Sequence, residues 1–207
     1  MAIGKIMTGP VAARSNANYD IDPRGTQEGA TLIESLSGQY AERNYRGNVF
    51  FFSVAAVTVT VNANNLVSVC GIYNPPGSGK IVEIIDSAAL PATATTVVQT
   101  FAWVSSSVAL SAAATFTTPG TARSGRMQDS TTPSSRVYTA VTHSGTPNVE
   151  RYFGGYTKVT SDLPPAIFKF DGTLMIPPGV LASIATLTAA SAAASTNLGF
   201  TFAEIPA

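Results

Sequence analysis

Alternation of apolar and polar side chains, beginning near Val49, is the feature that most restricts the fold of this chain. In the run from residue 57 to 61, three valines point to one side of an extended chain and two threonines point to the other. The run before it, residues 49–54, is aromatic and β-branched, which also favours a strand. No long segment from Val49 onward has convincing helical spacing, so this part of the chain is predicted to be built of strands.

Residues 74–80, Asn-Pro-Pro-Gly-Ser-Gly-Lys, resemble part of a phosphate-binding loop at first sight. That motif also needs a glycine where Asn74 stands and a hydroxyl where Ile81 stands. Pro75 and Pro76 lack the backbone N–H groups that would bind phosphate. Strand-like runs at residues 66–73 and 81–85 flank the segment. We therefore predict a hairpin turn between two strands rather than a nucleotide site.

Charged side chains are scarce and balanced, with 12 Lys and Arg against 12 Asp and Glu. A net charge of zero gives no electrostatic reason to expect nucleic acid or a membrane surface as a partner. The single cysteine, Cys70, allows no intrachain disulfide and is predicted to be a buried apolar residue. No secretory signal or membrane-spanning stretch is recognised. We expect a soluble protein that is made in the cytoplasm.

Further strand candidates, separated by turns, continue to the end of the chain. They cover residues 95–104, 136–141, 150–153, 166–170, 174–176 and 196–205. Residues 62–65, Asn-Ala-Asn-Asn, predict a turn. Residues 181–188 fit a helix or a strand, and the preceding Pro-Pro-Gly favours a strand.

This series predicts an all-β fold, a jelly-roll or β-sandwich domain over residues 46–207 with long loops around 111–160. Residues 1–45 show little periodicity and are predicted to form an extended N-terminal arm.

Catalytic and metal-binding patterns are missing from the sequence. The only histidine, His143, is predicted to be a surface loop residue, because no Gly-x-Ser-x-Gly elbow presents a serine to it. One histidine and one cysteine cannot supply a four-ligand zinc site within one chain. The acidic segment at Asp20 lacks calcium-loop ligands at Arg24 and Thr31. The protein is therefore predicted to have no enzymatic activity, no metal and no cofactor.

Two groups of residues suggest protein contact. The first lies in or near the arm and contains half of the chain's arginines, which suit docking because they form bidentate contacts with carboxylates. Its members are Arg14, Arg24, Arg43 and Arg46. The second lies around the long loops and is a possible carbohydrate- or protein-contact surface, with ordinary packing as the alternative. Its members are Arg136, Tyr138, Arg151, Tyr152 and Tyr156. The single tryptophan, Trp103, is expected to be a core or interface anchor.

Three segments, taken in order, are similar to one family of virion proteins. Residues 40–50, Tyr-Ala-Glu-Arg-Asn-Tyr-Arg-Gly-Asn-Val-Phe, end a polar N-terminal region. A first strand pair follows, then residues 71–80, Gly-Ile-Tyr-Asn-Pro-Pro-Gly-Ser-Gly-Lys, and a Pro-Pro-Gly turn at 177–179 precedes the last two strands. Over residues 40–205 this pattern resembles the head decoration, or cement, proteins of tailed bacteriophages. The ending Phe-Ala-Glu-Ile at 202–205 departs from the aromatic-acidic ending of that family.

The resemblance implies a jelly-roll homotrimer on the capsid surface of the virion. Its arm would grip the major capsid protein, and the protein would stabilise the shell without catalysis by bridging neighbouring capsomers. Two alternatives stay open. One is a phage tail fibre or receptor-binding module that recognises host glycan, and the other is a jelly-roll carbohydrate-binding domain or enzyme.

Overall fold

The computed structural model describes residues 24–25, 31–32, 40–59, 62–91, 98–107, 115–143, 146–157, 166–188 and 194–207. The chain separates into two units, Met1–Glu42 and Arg43–Ala207. In the first unit, β1 (Arg24–Gly25) pairs with β2 (Thr31–Leu32) in an antiparallel ladder. The arm predicted over residues 1–45 ends close to the division between the units, and its docking on a partner stays a prediction.

A short helix, α1 (Ala41–Tyr45), precedes a body made of strands. The strands are β3 (Val49–Val59), β4 (Asn62–Asn74), β5 (Lys80–Pro91), β6 (Val98–Ser107), β7 (Thr115–Pro119), β8 (Arg123–Ser124), β9 (Arg136–Thr142), β10 (Asn148–Thr157), β11 (Ala166–Lys169), β12 (Met175–Ile176), β13 (Val180–Thr188) and β14 (Ala194–Pro206). One sheet, here called the six-stranded sheet, has the order β10-β6-β13-β4-β9-β7. The other has the order β11-β5-β14-β3-β8 and is here called the five-stranded sheet after these strands, although β12 pairs with β5 as a sixth.

The strands pair in a nested way, first with last. β3 pairs with β14, β4 with β13, β5 with both β11 and β12, and β6 with β10, always antiparallel. A long antiparallel ribbon that folds over on itself in this way distributes its strands between two facing sheets, which is the jelly-roll arrangement. β7, β8 and β9 are inserted between β6 and β10, and β9 pairs with β4. The prediction of an all-β jelly-roll sandwich is therefore confirmed.

The two sheets share a core of aromatic and β-branched side chains, because alternate residues of each strand point inward. Trp103 of the six-stranded sheet meets Phe200 of the five-stranded sheet edge-on, with ring centroids 5.2 Å apart. Its indole N–H donates to Ser87 Oγ on β5 at 2.9 Å, so the buried polar atom has a partner. Trp103 and Cys70 are both fully buried, which confirms both burial predictions.

Residues 74–80 form a turn, but the prediction of a hairpin is wrong. β4 ends at Asn74 in the six-stranded sheet and β5 begins at Lys80 in the five-stranded sheet, so the segment crosses between the layers. Gly77 and Gly79 have φ angles of 78° and 63°, which glycine adopts without a Cβ penalty. A strand follows the segment, whereas a phosphate loop opens a helix.

Asn74 ties this crossing to a second one at residues 177–179. Its buried side-chain amide donates to the carbonyls of Lys80 at 2.8 Å and Ile176 at 2.9 Å. Its Oδ1 accepts from Ser78 Oγ at 2.7 Å, and its backbone carbonyl accepts from the N–H of Gly179 at 2.7 Å. The two Pro-Gly turns, more than 90 residues apart in sequence, therefore lie side by side at one end of the sandwich.

Other boundaries also differ from the predicted ones. Residues 62–65, predicted to be a turn, begin β4, because ladder pairing such as Thr188 opposite Asn62 overrides the turn preference of asparagine. The region around 111–160, predicted to hold long loops, contains β7 and β8, which join the sheets as short edge strands. Residues 181–188 form a strand, as predicted, within β13.

Candidate protein-contact site

The outer face of the six-stranded sheet is buried at its centre and exposed at its β10 edge, where Val149 and Tyr152 lie. On the six-stranded sheet, Val104 and Ala185 point away from the core and are fully buried within this chain. On the five-stranded sheet, Phe51, Leu90 and Ile167 alternate with core residues and expose 42%, 43% and 63% of their surface. The five-stranded sheet therefore presents apolar side chains to solvent, and such a face is typical of a contact surface.

Small side chains lie between these apolar residues. Ile167, Ala88, Gly199 and Ser53 are cross-strand neighbours on β11, β5, β14 and β3. None of the four carries a charge, so little desolvation opposes burial of this row. The next row on the same face is charged, with Lys169, Asp86 and Arg123. Another protein layer could approach this part of the sheet closely.

One of the four arm arginines is already engaged within the chain. Arg43 of α1 forms an ion pair with Glu83 of β5, whose carboxylate is only 3% exposed. A buried carboxylate needs such a partner, because removing a charge from water without one is costly. The side chain of Arg46 is exposed. Arg14 and the side chain of Arg24 lie outside the described residues, so the docking role of the group stays a prediction.

The loop of residues 124–131, here called the tip loop, is organised around Asp129. Its carboxylate accepts from Ser124 Oγ at 3.0 Å, Arg126 Nε at 2.7 Å, Thr131 N at 3.1 Å and Thr131 Oγ1 at 2.8 Å. These hydrogen bonds, with the one from the Thr131 side chain the largest contributor, lower the pKa of Asp129 to about 2. Arg126 also donates to Tyr45 O at 3.2 Å, which ties the loop to α1.

The tip loop presents Met127 to solvent. This side chain is 98% exposed, and the next residue, Gln128, has a φ of 61° that turns the chain at that point. Tyr45, whose carbonyl anchors the loop, is 53% exposed. The exposed Met127 was not predicted from the sequence. Asp129, followed two residues later by Thr131, is a turn signal that could have indicated the loop.

Two concave sites lie elsewhere on the sandwich. A cleft of about 360 Å³ lies beside the β7–β8 connection, between Pro119 and Pro133. Its Ser135 wall is fixed by Glu204, whose carboxylate accepts from Ser134 N at 3.0 Å, Ser135 N at 2.7 Å and Ser135 Oγ at 2.8 Å. A second pocket of about 220 Å³ opens beside β12 and has a mainly apolar lining.

The five predicted loop-contact residues do not form one cluster. Arg136 and Tyr138 are on β9 and line the 360 Å³ cleft, where Tyr138 is only 7% exposed. Arg151 and Tyr152 are on β10, at the other side of β4, β13 and β6 in the same sheet. Tyr152 is 57% exposed, whereas the side chain of Tyr156 lies outside the described residues. A contact role for any of them stays a prediction.

His143 is buried, so its predicted place on the surface is wrong. It directly follows β9 and lies on the outer face of the six-stranded sheet, with Nδ1 2.7 Å from Ser106 Oγ and Nε2 2.7 Å from Ser183 Oγ. Ser183 Oγ donates to Ser68 Oγ at 3.0 Å. The chain of bonds is consistent if Ser106 donates to Nδ1 and the Nε2–H donates to Ser183. Burial lowers the pKa of His143 to about 4, which favours this neutral form.

Both ring nitrogens of His143 are thus occupied by serine hydroxyls. A catalytic triad requires one nitrogen to be held by a carboxylate, and here Ser106 and Ser183 take both positions. Through these bonds His143 links Ser106 of β6, Ser183 of β13 and Ser68 of β4, which is a structural role. Cys70 is equally unsuited to chemistry, because burial raises the pKa of its thiol to about 12.

Within the described ranges, no three His, Cys, Asp or Glu side chains are grouped so that they could hold a metal ion. In the same part of the chain, no helix is long and apolar enough to cross a membrane. Comparison of the chain with protein-family models, with curated proteins and with solved structures found no match.

Proposed function

We propose that this protein is a non-enzymatic structural protein of a bacteriophage virion, a capsid decoration protein. In this role it binds the outer face of the shell of major capsid protein as a homotrimer and stabilises that shell. The observation that carries the proposal is one uncharged row on the outer face of the five-stranded sheet, formed by Ile167, Ala88, Gly199 and Ser53 beside the exposed Phe51 and Leu90, where another protein layer can pack. The pattern similarity over residues 40–205 supplies the identity of the partner.

The chemistry of the described residues supports an assembly role rather than a reaction. Three buried ionisable groups make structural contacts within the chain. Glu204 accepts hydrogen bonds from Ser134 and Ser135, Glu83 forms an ion pair with Arg43, and His143 is hydrogen-bonded to two serines. Stabilisation of a shell requires only burial and complementarity at an interface, which a rigid sandwich supplies.

Cosedimentation with capsid shells tests the proposal. Purified full-length protein is mixed with shells of the phage that encodes it, stripped of decoration protein, and the pelleted fraction is measured. We expect saturable binding and an increase in the melting temperature of the shell. An Arg14→Ala/Arg24→Ala variant should bind at least tenfold more weakly, whereas a matched Arg136→Ala/Arg151→Ala variant should bind like the natural protein. Absence of the natural protein from the pellet contradicts the proposal.

One observation favours a second candidate, a receptor-binding module for host glycan. Tyr152 exposes 57% of its surface on β10 next to Arg151, and an exposed aromatic ring beside a hydrogen-bond donor suits a sugar ring. Binding to a glycan array that is lost in a Tyr152→Ala variant would favour this candidate over the decoration role.

A further inference from the structure

Met127 has the properties of an anchor residue in a protein interface. It is 98% exposed, yet the loop that carries it is fixed by four hydrogen bonds to the Asp129 carboxylate and one from Arg126 to Tyr45. A preorganised loop loses little conformational entropy when its tip is bound, so most of the gain from burying the methionine is kept. Apolar anchors that enter a pocket dominate the energetics of many interfaces.

The same chain contains a pocket that fits such an anchor. The 220 Å³ pocket beside β12 is lined by Leu174, Ile176, Pro177, Val180 and Ala182, among others. An apolar cavity of about 150 Å³ accommodates benzene, a six-carbon ring, so the four heavy atoms of a methionine side chain fit.

The anchor and the pocket lie at opposite edges of the five-stranded sheet. The tip loop follows β8, which pairs with β3, whereas the pocket adjoins β12, which pairs with β5. Between β8 and β5 lie β3 and β14, a separation of about 15 Å at the usual strand spacing. Met127 therefore cannot fill the pocket of its own chain, but it can fill that of another copy.

We propose that Met127 of one copy inserts into the pocket beside β12 of a second copy, in a head-to-tail contact. Such a heterologous contact uses two different patches of each subunit and generates a ring when the rotation closes. Charge also favours it, since Glu150 lines the pocket and Arg123 lies exposed four residues before Met127. Self-association is part of the proposed function, and the contact between Met127 and this pocket would produce it.

Disulfide trapping between subunits tests the contact. The double variant Met127→Cys/Met175→Cys places one thiol at the anchor and one on a residue that lines the pocket and is 51% exposed. Cys70 does not interfere, because it is buried and its pKa is about 12. After mild oxidation, we expect covalent species larger than dimers on a non-reducing gel, since each subunit contributes both halves of the contact.

The matched control is Met127→Cys/Leu90→Cys, whose second thiol replaces a residue that is 43% exposed outside the pocket. Equal cross-linking of the two double variants would overturn the proposal. As a second measurement, Met127→Asp changes only a solvent-exposed side chain and should weaken self-association about tenfold or more in sedimentation velocity. An unchanged association constant would also overturn it.

These experiments contain no capsid shells, so their failure is distinct from failure of the proposed function. Specific cross-linking without shell binding would contradict the decoration role alone. Shell binding without specific cross-linking would contradict the Met127 contact alone.

Discussion

Replacement of Asn74 with aspartate tests whether one side-chain amide holds the crossing between the two layers. Aspartate has nearly the same shape and keeps an oxygen that accepts from Ser78 Oγ, now at 2.7 Å. It loses the amide group that donates to the carbonyls of Lys80 and Ile176 at 2.8 and 2.9 Å. It also places a carboxylate oxygen beside two carbonyl oxygens at a site with no exposure to solvent.

The size of the effect follows from these contacts. Each buried acceptor left without a donor costs about 1–3 kcal/mol. The carbonyl of Ile176 loses its side-chain donor and that of Lys80 keeps only a longer bond from Ser78 Oγ at 3.3 Å, so we expect a loss of roughly 2–5 kcal/mol at pH 7. Burial and the neighbouring carbonyl oxygens should raise the pKa of the new carboxyl group above its ordinary value. The loss should therefore shrink as the pH falls towards 5, because the protonated carboxyl can again donate one hydrogen bond.

Urea unfolding followed by tryptophan fluorescence measures the loss. Trp103 is the only tryptophan and is fully buried in the core, so its emission reports on the body of the sandwich. The unfolding midpoint should decrease while the slope of free energy against urea stays constant. Ser78→Ala is the matched control, because it removes the hydroxyl that bonds to Asn74 Oδ1, Lys80 O and Lys80 N but keeps the Asn74 amide. It should cost about 1 kcal/mol, since water can reach this partly exposed position. A loss below about 1 kcal/mol for the aspartate variant would refute the role given to Asn74.

Three further predictions concern stability. Burial lowers the pKa of His143 to about 4, so the folded protein favours the neutral imidazole. This contribution to stability is complete above the ordinary pKa near 6.5, and stability should fall as the pH decreases from 6.5 towards 4. After allowance for solvent screening, the free energy of unfolding should decrease by about 1–3 kcal/mol over this range. In His143→Gln, denaturation curves should show no such decrease between pH 6.5 and 5. Glu204→Gln should cost about 1–3 kcal/mol in urea unfolding, because an amide N–H₂ replaces one of two acceptor oxygens that face Ser134 and Ser135; an unchanged midpoint would contradict this. Gly71→Ala should lower the melting temperature by several degrees, since its Cβ would lie 2.5 Å from the carbonyl oxygen of Ala182, and a neutral result would show that β4 and β13 separate easily.

Local patterns identified most of the strands but not their partners. The alternation from Val49 onward and the β-branched run at 181–188 were sufficient to predict β3 and β13, because a side chain's preference for a half-buried pleated surface is local. The hairpin at residues 74–80 was wrong because neighbouring strands in sequence can join either the same sheet or opposite sheets. That choice depends on the nested pairing of the whole ribbon, which no single segment contains.

The candidate contact site was harder to predict than the fold. The arginines and aromatics chosen from the sequence proved to be spread over β9, β10 and the region of α1, because composition does not show which strands become neighbours. His143 was misplaced for a similar reason. The sequence around it, Thr-His-Ser-Gly-Thr, has the composition of a surface loop, yet the imidazole lies against a sheet whose outer-face serines, Ser106 and Ser183, satisfy both ring nitrogens.

The buried polar groups explain how so charge-poor a chain can specify one arrangement of two layers. Hydrophobic burial is non-directional and would tolerate several ways of stacking the sheets. Trp103 with Ser87 and Asn74 with Ile176 each join one layer to the other through a buried hydrogen bond, and Glu204 of β14 bonds to Ser135, just before β9. Leaving any of these buried groups without its hydrogen bond costs more free energy than the bond itself contributes. The three contacts therefore disfavour stackings of the sheets that would break them. These contacts fix the two layers from the inside, so the uncharged row of Ile167, Ala88, Gly199 and Ser53 remains on the outside of the sandwich for contact with another protein.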